Sequence, residues 1–493
     1  MKMHRIERYN INVPVLLRVV GWLLLIETLF MLVPLATCLW YEEEDWMCFA
    51  GTCALTLVAG LGLTRLIRPS HNHMGKREGF LLTAMVWVVF SIFGMLPFIY
   101  CATPISVTDA FFEAMSGFTT TGASVLDSIS HMSHGILMWR ALMQWIGGMG
   151  IILFTLAVIP MLNHSGGMQM FNAEVTGITH DKLRPRISQT AKSLWTIYIA
   201  LTLLLILLLW IGPMSGFESI CHAFGAISTG GFSTAEESIE AWHSVYVKVV
   251  ITVFMFLGGV NFGLIFRAVC GQWQPVLKND VFKVYIGTVS VMLVLFVISI
   301  IGAGAVRSWE DLCVNPLFAI VSTITSTGYS VGNFEAWGPF VLSLTFLMMF
   351  CGACAGSTSG GAKLDRVLFL VKNCRNEIYR CVYTNSIRPV KVNGKVVSPD
   401  LVNKVIAFLC LYMMLVCIGG TLLTAMGLPP VDSFFSAFSC LSNTGLGAGV
   451  TGYGGSYSLV PAAGKWLLSL LMLIGRLELF TVLLLFVPSF WHR

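Results

Sequence analysis

Ten stretches of this chain are apolar for about 20 residues or more, the length an α-helix needs to cross a hydrocarbon core of about 30 Å. They run over 15–39, 46–66, 80–102, 135–162, 193–213, 243–266, 281–305, 338–371, 403–427 and 464–489. The predicted class is therefore an all-α polytopic membrane protein, and an even number of spans puts both termini on one side. Composition agrees, with 56% hydrophobic and 11% charged residues, where soluble domains carry about 25% charge. The first run is long, lacks a small-residue cleavage site and is followed by nine more, so it reads as a helix rather than a cleavable signal. The 14 cysteines fall mostly inside apolar runs, where a thiol behaves as a small hydrophobe. Cys351 and Cys354 form the lone CxxC, with no second pair or histidine cluster, which argues against zinc.

Net charge is only +5, but its placement is ordered. Four windows, Gly79–Trp139, Ser193–Val247, Ser308–Ala362 and Val405–Gly464, contain no Lys or Arg yet hold 11 acidic residues. Positive charge stays cytoplasmic in short loops, so these windows are predicted to face outward. The basic segments Thr179–Arg186 and Lys372–Arg380, and the N-terminus with Lys2, Arg5 and Arg8, are predicted to be cytoplasmic.

Each outward window holds a shorter apolar segment ending in glycine. Without gaps, "DAFFEAMSGFTTTG" ending at Gly122 aligns with "FESICHAFGAISTG" ending at Gly230, "NPLFAIVSTITSTG" ending at Gly328 and "DSFFSAFSCLSNTG" ending at Gly445. Thr121, Thr229, Thr327 and Thr444 then share a column. The glycines are 108, 98 and 117 residues apart, a fourfold repeat with room for two spanning helices and a short segment in each copy. Asp109, Asn315 before Pro316, and Asp432 after Pro429 and Pro430 read as helix starts, and Glu113 adds a favourable first-turn charge. The Thr/Ser/Asn-Gly cluster ends each helix, and the chain returns extended. Such backbone at membrane depth must be buried in protein or line a watery cavity. Four such strands around one axis would line a pore whose carbonyls replace the water of a cation. Thr-Gly as turn punctuation is the alternative for any single copy.

With these repeats, "WRALMQWIGGMGI" (Trp139–Ile151), "CAGSTSGGAK" (Cys354–Lys363), "RPVKVNGKVVS" (Arg388–Ser398) and "GRLELFTVLLLFVPSFW" (Gly475–Trp491), the chain resembles the Trk/Ktr/HKT superfamily of potassium transporters, most closely its bacterial Trk-type membrane subunits. The resemblance implies two N-terminal transmembrane helices (1–75), then four helix–pore loop–helix repeats over 76–165, 166–280, 281–400 and 401–493, arranged like a potassium channel. It implies a potassium selectivity filter of Thr120, Thr121, Gly122, Thr229, Gly230, Thr327, Gly328, Asn443, Thr444 and Gly445. Glycine at 122, where sodium-transporting plant relatives carry serine, favours potassium. After the glycine the repeats diverge to Ala123, Gly231, Tyr329 and Leu446, which implies modest discrimination. A homodimer in the bacterial inner membrane and a cytosolic nucleotide-binding Trk regulatory ring, similar to TrkA, are further implications. Potassium is the transported ion, with no organic cofactor.

Two features interrupt the apolar pattern. In "CGACAGSTSGGAK" the glycines Gly352, Gly356, Gly360 and Gly361 and the polar Ser357, Thr358 and Ser359 predict that the eighth span unwinds before Lys363. The resemblance makes this segment an intramembrane gate loop below the filter; close helix packing through small residues is the alternative. Arg476 sits inside the last span, where an ionisable group suggests function. The resemblance faces it to the cavity by the gate loop, and a tie to helix-end carbonyls stands equally beside that reading. Glu27 and Arg140 also interrupt spans; Arg140 could snorkel to an interface, and neither is assigned a transport role.

"GAGVTG" (Gly447–Gly452) and "GSTSGGAK" (Gly356–Lys363) imitate nucleotide motifs without the strand–helix context or the GK[ST] order these need. "VKVNGKVV" (Val390–Val397) predicts a small cytoplasmic hairpin turning on Asn-Gly. No paired carboxylates, His cluster or activated Ser supports an enzyme, and nothing points to nucleic acid. The leading expectation is potassium uptake driven by membrane potential. Proton- or sodium-coupled potassium symport, or a less selective carrier, is the competing one.

Overall fold

The computed structural model describes residues 11–67, 74–150, 187–306, 308–386, 388–452 and 456–491. The second half of the fourth predicted span, the segment Thr179–Arg186 and the N-terminal Lys2, Arg5 and Arg8 lie outside the described residues.

Two long helices, α1 (Val13–Trp40) and α2 (Trp46–Leu66), pack along each other and lead into four copies of one unit. Unit one has α3 (Lys76–Gly94), continued by α4 (Leu96–Tyr100), the short α5 (Val107–Phe118) and α6 (His134–Gly148). Unit two has α7 (Ile187–Ile211), α8 (Gly216–Ile227), and α9 (Val245–Gly258) bent by 105° into α10 (Phe262–Val269). Unit three has α11 (Asp280–Gly302), α12 (Trp309–Ile324), α13 (Pro339–Cys351) and, after a break, α14 (Leu364–Val382). Unit four has α15 (Pro399–Ala425), α16 (Pro430–Leu441), and α17 (Ala462–Arg476) bent by 113° into α18, which begins at Phe480. The short helices α5, α8, α12 and α16 end together around the middle of the molecule.

Long outer helices leave apolar side chains bare: Leu203, Leu207 and Trp210 on α7, and Val291, Val294, Ile298 and Ile301 on α11, are all at least 49% exposed. A continuous apolar outer surface is what a lipid-facing wall requires. Six described helices are long and apolar enough to cross a membrane, and the two bent pairs bring the number to eight. The remaining two predicted spans are α6, which ends at Gly148, and α13 with the break after it.

The short helices start differently from the expectation. Ser106, Ser215 and Ser308 are the N-caps of α5, α8 and α12, and Ser215 and Ser308 form full capping boxes with Glu218 and Asp311. α12 therefore begins before Asn315, and Pro316 lies inside it. α16 begins at Pro430, with no side-chain cap. The predicted hairpin forms as β1 (Lys391–Val392) and β2 (Lys395–Val396), with Asn393 at φ 50° and Gly394 at φ 75° in the turn. Its face of the molecule is the hairpin face below; the opposite one is the vestibule face.

Candidate functional site

Beyond each short helix the backbone alternates in hand. Thr120, Thr229, Ser326 and Asn443 have φ of 53°, 54°, 54° and 53°, and two residues later Gly122, Gly231, Gly328 and Gly445 have φ of 83°, 82°, 79° and 74°. Positive φ costs a non-glycine residue roughly 1–2 kcal/mol, so four in one column mark a conformation imposed by the surrounding structure. Alternating hand turns successive carbonyls toward one side of a strand, whereas an extended strand points them to opposite sides.

This register corrects the gap-free alignment in the second unit. The residue whose N–H closes the short helix is Thr121 on Ser116, Thr327 on Ser322 and Thr444 on Ser439, at 2.8–2.9 Å, and in unit two it is Gly230 on Gly225 at 2.8 Å. Gly231 is thus the counterpart of Gly122, Gly230 that of Thr121, and Thr229 that of Thr120; Phe232, not Gly231, follows the positive-φ glycine of unit two. Polar pairs behind the strands agree. Glu113 accepts from the Ser124 hydroxyl at 3.0 Å, and His222 bonds the Ser233 hydroxyl at 3.1 Å, each across 11 residues.

The four strands close a ring. A Cβ on Gly122 would lie 2.2 Å from the Gly230 carbonyl oxygen, one on Gly231 1.8 Å from that of Thr327, one on Gly328 2.1 Å from that of Thr444, and one on Gly445 2.1 Å from that of Thr121. Each glycine is required because the next strand's carbonyl occupies the space of a side chain. Hydroxyl pairs at 2.8 Å, Thr119–Thr121, Thr325–Thr327 and Ser442–Thr444, brace three of the strands. On the vestibule face the ring floors a cavity of about 460 Å³ that Asp127 and Glu236 also line. Hydrogen bonds from the Ser130 and Ser128 hydroxyls hold the Glu236 carboxyl below its ordinary pKa, so Glu236 stays anionic at neutral pH.

Arg140 is not at an interface. It is 1% exposed and pairs with Glu113, itself fully buried, at 2.8 Å. The guanidinium also donates to the Ser233 carbonyl at 3.2 Å and the Ser124 hydroxyl at 3.1 Å, and lies 4.1 Å from the centre of the Phe232 ring. Glu113 accepts from the Val125 N–H as well, at 3.0 Å. The pair therefore ties the return strands of units one and two together behind the ring. Glu113 serves there rather than as a first-turn charge.

On the hairpin side of the ring the predicted break exists. α13 stops at Cys351, and the chain runs irregularly through Gly352, Gly356 and Gly361, all at positive φ, to Lys363. The Thr358 hydroxyl donates to the carbonyls of Ile227 and Gly258, each at 3.1 Å, and the Gly360 N–H donates to the Ser326 hydroxyl at 2.5 Å. The Ser359 and Ser326 hydroxyls are 3.2 Å apart, and the Gly361 N–H donates to the Ser442 carbonyl at 2.8 Å. The loop is thus stitched to the ends of the short helices of units two, three and four. A Cβ on Gly360 would lie 2.1 Å from the Ser442 carbonyl oxygen.

Arg476 reaches this loop from α17, donating to the Thr358 carbonyl at 3.0 Å and to the Gly147 and Gly148 carbonyls at 2.6 and 3.0 Å. Arg476 thus lies against the loop and is tied to the end carbonyls of α6. The Lys363 ammonium donates to the Ser359 carbonyl. A cavity of about 110 Å³ collects Gly356, Ser357, Ser359, Gly360, Gly361, Lys363, Asn443, Arg476 and Glu478. Gly352 lies at the loop's root, where a Cβ would come 2.8 Å from the Gly360 carbonyl oxygen. Among the described residues, no group of three or more His, Cys, Asp or Glu side chains is placed to hold a metal ion.

Residues 47–493 match the family model described as TrkH, cation transport protein. The chain is 36% identical over 480 residues to the Trk system potassium uptake protein TrkH of Escherichia coli K12, covering 97% of this chain and 99% of that one. It is 31% identical over 492 residues to the Trk system potassium uptake protein TrkG of the same organism, covering 98% and 99%. The crystal structure of the potassium transporter TrkH from Vibrio parahaemolyticus superposes with a TM-score of 0.88 at 31% identity, covering 98% of this chain and all of that one.

Proposed function

The chain belongs to the TrkH family of cation transport proteins, and on that premise we propose that it takes up potassium across the bacterial cytoplasmic membrane through the ring of Gly122, Gly231, Gly328 and Gly445. The observation that carries the reading is the closure of that ring, in which every glycine faces the next unit's carbonyl. Carbonyls fixed at such spacing can replace the hydration shell of a potassium ion, and the short helices aim their partly negative ends at the same point. The vestibule faces outward and its anionic rim gathers cations. Both termini and the hairpin face the cytoplasm.

The loop from Gly352 to Lys363 is the gate, held shut by Arg476 and by its bonds to Ile227, Ser326 and Ser442. Opening it is the task of a cytosolic nucleotide-binding regulatory ring, and the functional unit is a homodimer. Membrane potential suffices as a driving force: one charge moving down about 100 mV yields about 2.3 kcal/mol, enough for a gradient of roughly fiftyfold. The test is potassium flux into proteoliposomes of the purified chain with voltage and pH gradient set separately. Flux that follows voltage at zero pH gradient supports the reading, and flux that needs the pH gradient overturns it.

Proton-coupled symport has one observation in its favour. Glu27 in α1 is fully buried, and among the described residues neither of its carboxyl oxygens has a hydrogen-bond partner. If Glu27 carries a coupled proton, Glu27→Gln abolishes any flux driven by a pH gradient; an unchanged pH response removes this second reading.

A further inference from the structure

The second unit departs from the other three at one position of the ring. Thr121, Thr327 and Thr444 each carry a hydroxyl paired with the residue two before it, and their counterpart is Gly230, which has no side chain. The residue two before it, Ser228, keeps the bond to the carbonyl three residues back that Ser442 also makes, but has no hydroxyl at Gly230 to pair with. A gap in so close-packed a ring would leave this strand the least constrained of the four.

The gap is filled from another unit. Gln144, on α6 of unit one, is fully buried, and a Cβ on Gly230 would lie 2.4 Å from its Cδ. Its side-chain amide donates to the Gly230 carbonyl at 2.8 Å and accepts from the Phe232 N–H at 3.1 Å. The two bonds bracket Gly231, the residue at positive φ. They fix the peptide groups on both sides of it, and one of them orients the ring carbonyl facing Gly122.

We propose that Gln144 is a positioning residue for ion selection, standing in for the threonine that unit two lacks and setting the aim of the Gly230 carbonyl. The inference rests on the reading of the glycine ring as the selectivity filter. Gly230 itself is outside the positive-φ set and the atoms nearest its would-be Cβ belong to the Gln144 side chain, so shortening Gln144 removes the nearest obstacle to a threonine there. Two variants follow, Gln144→Ala and Gln144→Ala with Gly230→Thr, the second rebuilding in unit two the hydroxyl pattern of the other three.

The experiment measures bi-ionic potassium/sodium reversal potentials of the purified full chain in proteoliposomes, with folding followed by size exclusion, and Gly122→Ser as the reference for the ring itself. Gln144→Ala is expected to lower potassium preference by roughly tenfold, the effect of about one lost hydrogen bond to a buried carbonyl. The double variant is expected to regain most of it. An unchanged ratio in folded Gln144→Ala beside a shifted ratio in Gly122→Ser overturns the role of Gln144 and leaves the ring intact. An unchanged ratio in both overturns the ring reading. Should Gln144→Ala not fold, the double variant decides alone: failure to fold, or folding with lost discrimination, overturns the proposal.

Discussion

At the residue scale, two adjacent glycines in unit two have opposite tolerances. Gly231 sits at φ 82°, with the Thr327 backbone in the way of a Cβ, whereas the atoms nearest a Cβ on Gly230 belong to the end of the Gln144 side chain. Gly231→Ala is therefore expected to abolish rubidium uptake, and Gly230→Ala to reduce it by roughly tenfold or less, since backbone moves less readily than a side chain. Equal losses would restore the gap-free register. Behind the ring, Glu113 and Arg140 form a buried pair, and removing one partner of such a pair costs about 3–5 kcal/mol because the other is left uncompensated. Glu113→Ala should accordingly lower the thermal unfolding temperature of the detergent-solubilised protein by many degrees, while Glu113→Ala with Arg140→Met should recover part of the loss. The threonine-glycine columns of units one, three and four were legible from sequence. Unit two was misread because "STGG" offers two glycines, and only the distance from the end of α8 selects the second. The equal spacings Glu113–Ser124 and His222–Ser233 were the signal that could have shown it. Gln144 left no signal, because nothing in sequence says that a glutamine in one repeat faces a glycine in the next.

At the scale of elements, the second helix of every unit stops or bends just past the ring: at Gly148, Gly258, Cys351 and Arg476. A hydropathy count reads each as one span because the apolar run continues across the bend. Only the break in unit three, dense in glycine and serine, was visible in advance. At two of these ends the packing leaves no room for a side chain. A Cβ on Gly147 would lie 1.8 Å from the Phe118 carbonyl oxygen, and one on Gly475 2.0 Å from that of Leu441, so these helices press directly on the ends of α5 and α16. The loop from Gly352 to Lys363 packs against these ends. Arg476→Ala removes three bonds to carbonyls, two of which anchor the loop's neighbour α6, and on the proposed reading of the loop as a gate it also withdraws a positive charge from the cation path. Basal rubidium uptake by the chain alone is predicted to rise several-fold to a hundredfold, which corresponds to roughly 1–3 kcal/mol of barrier. Uptake at the parent level in Arg476→Ala and in a loop-shortened variant would make the segment packing material.

At the scale of the molecule, the Lys/Arg-free windows end at Val247 and Gly464 because Lys248 and Lys465 follow, yet both lysines lie buried on the vestibule side. Lys465 pairs with Asp109 at 2.5 Å, and Lys248 with Glu240 at 3.0 Å and Glu310 at 3.7 Å. Each links the second helix of one unit to the short helix of the next, unit four to one and unit two to three, so charge at these two places cements the ring instead of marking a membrane crossing. The helical class, the fourfold repeat and the hairpin could be read from patterning, since hydropathy and turn chemistry are local. Contacts between units could not, since they join residues as far apart as Thr121 and Asn443, whose amide donates to the Thr121 hydroxyl at 3.0 Å. The account's central claim is that four glycines in one closed ring choose the ion. Reversal potentials under paired potassium and sodium gradients test it most directly, measured on the parent and on serine variants of Gly122, Gly231, Gly328 and Gly445 that remain folded. The account predicts a potassium preference in the parent and its loss in every conducting variant; a parent-like ratio in any folded, conducting one of the four would contradict it.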